Sequence, residues 1–219
     1  MIRQEKGYPA MTRRGWMTAG LSAAVLALAG CSSTPVQRDT FYRLENPTLS
    51  TTRAGGPIRG VVDVPPLRAS GLTNERAILY RDGPRQLAQY SYHAWLEPPA
   101  LMLQHGLIRV LRQAQAFDTV TSPELRVDRD YELLGNIRSW EHVRMGSQGT
   151  AAIEIDISLR RVRGNQQILQ KTYKANEAVA GDGVDGAVVG FTRGMDSIYA
   201  ALLADLAALP QEASVSGGR

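Results

Sequence analysis

Residues 151–159 read AAIEIDISL. Ala151, Ile153, Ile155, Ile157 and Leu159 alternate with Ala152, Glu154, Asp156, Ser158 and, one step on, Arg160. Successive side chains of a strand point to opposite faces. This period of two therefore predicts a half-buried strand, with one face on a core and the other turned to water or a partner. Gly164-Asn165 turns the chain, and residues 167–177 pair back. Upstream, Tyr131, Leu133, Gly135 and Ile137 alternate with polar residues in the same way. Downstream the period changes. Val188, Phe191, Met195, Ile198, Leu202, Leu206 and Leu209 recur at helical spacing, and Pro210 ends the stripe.

The first half reads in shorter pieces. Thr40-Phe41-Tyr42-Arg43-Leu44 predicts a strand, and 46–57 a loop rich in Pro, Gly, Ser and Thr. Val61-Val62-Asp63-Val64 is a buried strand stopped by Pro65-Pro66, and Ala77-Ile78-Leu79-Tyr80 is another. Arg81-Asp82-Gly83-Pro84 supplies a turn, after which residues 86–95 return as the hairpin partner. Pro98 and Pro99 suit a helix start, where a missing N–H costs nothing. Ala100, Leu103, Leu107, Leu111 and Ala114 form its buried stripe. His105, Arg109 and Arg112 fall on another face, a solvated basic face or one that meets anionic lipid. The sum is a single α/β domain over residues 40–209. Its sheet is mixed or mainly antiparallel, and two long helices pack on one face. Residues 210–219 are expected to form a disordered tail.

Cys31 is the only cysteine. It can neither staple the domain nor pair at a metal. Ahead of it lie Arg13-Arg14 and the apolar run Trp16–Leu28. That run is shorter than the ~20 residues a bilayer span needs. A charged start, a short apolar core and a small-residue exit make residues 1–30 a secretory signal peptide. The exit Leu28-Ala29-Gly30-Cys31 looks like a bacterial lipobox, which implies a covalent lipid on Cys31 after cleavage. Thr12-Arg13-Arg14-Gly15-Trp16-Met17 also resembles a twin-arginine signal, so the export route stays open. Residues 31–39 form the lipidated tether; its eight residues 32–39 reach at most about 28 Å. Ser32 stands where Asp would favour inner-membrane retention, which implies the outer membrane. The chain carries a net charge of +4. Arg3, Lys6, Arg13 and Arg14 against Glu5 put +3 of it in residues 1–30, leaving +1. That balance gives no ground for a nucleic-acid partner, which needs a strong basic patch.

Reactive chemistry is sparse. Gly181-Asp182-Gly183-Val184-Asp185-Gly186 matches G-x-G-x-x-G, but its two aspartates repel a phosphate and no strand follows to complete a βαβ unit. A loop with an acidic helix cap is the expectation. His93, His105 and His142 have no close ligand at metal spacing, and Gly146-Ser147-Gln148-Gly149 is not a nucleophile elbow. No residue set singles itself out as catalytic or metal-binding, and no cofactor is implied beyond the lipid. In Tyr90-Ser91-Tyr92-His93-Ala94-Trp95, strict alternation puts Tyr90 and Tyr92 on one face, with Ser91, His93 and Trp95 on a more polar one. Trp95 beside His93 there is either a contact site or a residue packed beneath the following helix. Glu97 is placed to cap that helix.

Val61-Val62-Asp63-Val64-Pro65-Pro66-Leu67, Ala77-Ile78-Leu79-Tyr80-Arg81 and His93-Ala94-Trp95-Leu96-Glu97-Pro98-Pro99 together resemble the ABC-type transport auxiliary lipoproteins, the PqiC-like family. Tyr131–Ile137 and the closing amphipathic helix fit as well. Leu96 departs from the pattern, where Ala is more usual. The resemblance spans about residues 40–209. It implies an α/β domain working with an MCE-family periplasmic protein and an ABC permease and ATPase, at the outer-membrane end of a lipid or hydrophobic-solute route. It also implies partner contacts, for which Arg81, His93 and Trp95 are the candidates, and a homo-oligomer is a further possibility. The other functional classes are a structural envelope lipoprotein that moves no lipid and a periplasmic hydrolase.

Overall fold

The computed structural model describes residues 37–47, 57–144, 149–181 and 183–210. The signal peptide, Cys31, most of the tether, 48–56 of the early loop, Ser147 and the tail beyond Pro210 lie outside these residues. From Asp39 the chain forms one unit.

Eight strands and two helices succeed one another as β1 (Thr40–Tyr42), β2 (Ile58–Asp63), β3 (Ala77–Arg81), β4 (Ala88–Trp95), α1 (Pro99–Gln113), β5 (Phe117–Thr121), β6 (Tyr131–Val143), β7 (Thr150–Arg161), β8 (Gln166–Ala178) and α2 (Val184–Ala208). Short 3-10 turns at Gly71–Asn74 and Pro123–Leu125 complete the order. The sheet is mixed. β6–β7, β7–β8 and β3–β4 are antiparallel, while β1–β4, β2–β5, β2–β6 and β3–β6 are parallel.

β6 is the hub. One of its edges carries β7 along its whole length. The other is shared: Tyr131 and Glu132 pair with β2, while His142 and Val143 pair with β3. A single bridge from Arg68 to Asn136 lies between them. The alternation in 151–159 is realised as read: Ala151, Ile153, Ile155, Ile157 and Leu159 are all buried. Gly164 and Asn165 both take positive φ, 81° and 51°. That geometry matches the twist of two adjoining strands in a tight hairpin, and Gly adopts it without steric cost.

Both helices feed one core. α1 begins after Pro98 and buries Ala100, Leu103, Leu107 and Leu111, with Ala114 buried at its C-cap. Its Gln104 Nε2 donates to the Val64 carbonyl at 2.8 Å, satisfying backbone where Pro65-Pro66 stops the strand register. α2 lies on β7 and β8, where its Gly190 and Gly194 pack on Ala151 and Ile153. β5 escaped the sequence reading, as did the second half of β6. Among the described residues no helix is long and apolar enough to cross a membrane.

Candidate functional site

The residues 88–95 decide where the candidate contact residues point. Tyr92 has φ 60°, and the β3–β4 register jumps between Ala77↔Ala94 and Leu79↔Gln89. This bulge cancels the alternation, as an extra residue in one strand always does. Tyr90 therefore shares a face with His93 and Trp95, and that face is the core side, not a polar one. Trp95 is fully buried, 5.5 Å from the Phe191 ring and 5.8 Å from Trp140. The surface contact expected of Trp95 is thus corrected: it is a core residue. His93 is half-buried, with its Nδ1 3.0 Å from the Tyr42 hydroxyl. Arg81 turns to the opposite face of the sheet and pairs with Glu141 at 2.9 Å. The three are not brought together.

What the bulge does assemble is a strip of tyrosines and histidines. The Tyr90 hydroxyl lies 2.8 Å from His142 Nδ1, and the Tyr90 ring lies 4.6 Å from Tyr80 and 6.4 Å from His93. Arg144 stacks on Tyr80 at 3.8 Å and makes a two-pronged pair with Asp82 at 2.7 and 2.6 Å. Burial, then the Arg144 charge, holds the His142 imidazole below its usual pKa. At the other end Tyr42 is pushed up to about 12, first by burial and then by the Asp185 carboxylate beside it. Asp185 sits inside the first turn of α2, while the N-cap is Gly183 with no side-chain cap bond. The expected acidic cap is corrected to that extent. Glu97 likewise makes no cap; it pairs with His105 Nδ1 at 3.3 Å.

The second polar concentration is a groove of about 460 Å³. The segment after β1 forms one wall, with Arg43, Leu44 and Glu45. α1 contributes Met102, His105, Gly106 and Arg109, and α2 contributes Thr192, Met195, Asp196 and Tyr199. Leu96 and Glu97 complete the lining. Tyr199 is 2% exposed, and its hydroxyl fits against α1 because residue 106 is Gly; a Cβ there would collide with it. Burial, then Glu45, raises the Asp196 carboxyl above its usual range. The exposed basic residues His105 and Arg109, read as a solvated face, are two of the groove's walls. Sequence reasoning missed the groove because its parts are separated by 50 to 150 positions and share no motif. Among the described residues no group of His, Cys, Asp or Glu could hold a metal ion.

A family model described as the ABC-type transport auxiliary lipoprotein component matches residues 42–206. Among solved structures, a Xanthomonas campestris protein of the family DUF330 superposes with a TM-score of 0.67 at 19% identity, covering 75% of this chain and 92% of its own. An uncharacterized protein superposes with a TM-score of 0.62 at 14% identity, covering 77% and 99%. At such identities the likeness is one of fold. No curated protein matches the sequence.

Proposed function

This chain belongs to the ABC-type transport auxiliary lipoproteins, and from that premise we propose that it is the outer-membrane-anchored, periplasmic auxiliary subunit of an MCE/ABC-type system moving lipid or another hydrophobic solute. It acts by binding and docking, not by catalysis. Acyl chains on Cys31 hold it to the membrane, and the tether 31–39 keeps the domain close to that surface. The observation that carries the reading is the extent of the family match. Residues 42–206 run from the end of β1 almost to the end of α2, so the likeness covers the folded domain and not one motif.

Two measurements test it. The full-length chain, purified from membranes, is expected to bring down an MCE-family protein and an ABC permease or ATPase. Recovery of neither refutes the transport role. Cys31→Ser is expected to release the protein from the membrane or leave an unprocessed precursor, because the acyl chains supply the membrane affinity. A Cys31→Ser protein of processed mass that still fractionates with the outer membrane refutes the anchor.

A further inference from the structure

Charges on the helix-free face of the sheet are paired, whereas around the groove only Glu97 and His105 are. Among the described residues Arg43, Glu45, Arg109 and Asp196 form no ion pair, although all four line the same opening. The Tyr199 hydroxyl, within electrostatic reach of Asp196 and Arg109, makes no hydrogen bond among the described residues either. Met102 and Met195, which are buried, and Leu96, which is exposed, line the same groove. Arg43, Glu45 and Arg109 are exposed and Asp196 is half-buried, so all four stay open to a ligand's headgroup. The volume is that of a small-molecule site, ~300–1,000 Å³, and too small for a helix ~10 Å across.

The signs select the ligand. Apart from the Glu97–His105 pair, two carboxylates and two guanidiniums share the groove with Leu96, Met102 and Met195. A fatty acid would meet Glu45 and Asp196, and an alkylammonium would meet Arg43 and Arg109. We propose that the groove binds a single-chain zwitterionic amphiphile. Its chain lies on Leu96, Met102 and Met195, its ammonium faces Glu45 and Asp196, and its phosphate faces Arg43 and Arg109. This rests on the lipid-transport reading and gives that reading a site and a headgroup class. Thioether side chains suit such a lining, since they adapt to chains of different length.

The test uses the full-length chain in nonionic detergent and three probes of equal chain length: a spin-labelled lysophosphatidylethanolamine, a spin-labelled fatty acid and a spin-labelled alkyltrimethylammonium. The zwitterion is expected to bind saturably, about tenfold tighter than either single-sign probe, because each of those brings a like charge against one wall. The double variant Glu45→Gln, Asp196→Asn should lose its preference over the fatty acid while melting no lower than the parent. Arg138→Gln, on the helix-free face, should bind as the parent does. Lack of saturable binding, equal binding of all three probes, or an unchanged preference in the double variant overturns the proposal. So does a photo-crosslinker at Leu96 that captures a polypeptide and no lipid from membranes. If the probes fail while the transport proteins still co-purify, the groove assignment falls and the auxiliary role stands.

Discussion

The helix-free face of β6–β8 and the groove between the helices hold the same kinds of charged residue and, the Glu97–His105 pair aside, treat them in opposite ways. On the sheet, Glu132 lies directly across from Arg160 and Glu154 across from Lys174, so register alone brings opposite charges together. Lys174–Glu154 closes at 3.1 Å, Arg138 pairs with Asp156, and Glu132 holds both Arg129 and Arg160. In the groove, Glu45 and Asp196 are like charges within reach of each other, and neither arginine is drawn in to neutralise them. Paired charges on a rigid strand surface satisfy one another and leave little for a partner. Unpaired charges on the walls of a cleft keep their interaction energy for whatever enters.

The contrast can be broken at its foundation first. Trp95 packs the core from which both regions hang, and the next residue, Leu96, already lines the groove. Trp95→Ala is expected to cost about 3–5 kcal/mol in urea unfolding. A normal melting temperature for that variant would show that Trp95 is no core residue.

Glu132→Gln comes next. Burial raises this carboxyl, but the Arg160 and Arg129 guanidiniums outweigh burial and hold it below its ordinary 4.5. Because the folded value is the lower one, its stabilisation is present above pH 4.5 and is lost as pH falls through the folded value. The variant should lose about 2 kcal/mol at pH 7 and show a shallower acid limb in a stability–pH profile. A loss no larger than that of a single exposed ion pair would reduce the sheet face to ordinary solvated charge.

The smallest effect has the opposite sign. The Asp196 carboxyl is raised in the folded state, so its contribution is unfavourable at neutral pH and vanishes below its ordinary 3.8. Asp196→Asn should gain up to about 0.5 kcal/mol at pH 7 and nothing at pH 3. If it loses stability at pH 7, the groove is held together by the charges that here count as spare.

Much of this architecture could be read from the residues because it is periodic or punctuated. The alternation in β7, the Gly164-Asn165 turn and the proline pair at the start of α1 each state a local backbone preference. β5 is five residues long, with Asp118 and Thr119 adjacent and exposed, and offers no period to detect. β6 runs through a register shift between Ile137 and Ser139, which breaks the pattern halfway. Tyr92 did the same to β4, and with it the placing of His93 and Trp95. The groove depends on which distant segments meet. No local preference encodes the approach of Arg43 to Arg109 or of Tyr199 to Gly106.

The shared edge of β6 has a kinetic corollary. Its parallel partners β2 and β3 arrive from 60 to 70 residues earlier in the chain, and the core side of β7 and β8 is covered only when α2, the last element, docks. Pairings across long loops are slow to close. Folding is therefore expected to wait for the C-terminal helix, leaving a long interval in which the polypeptide is extended enough to be handed on by carriers.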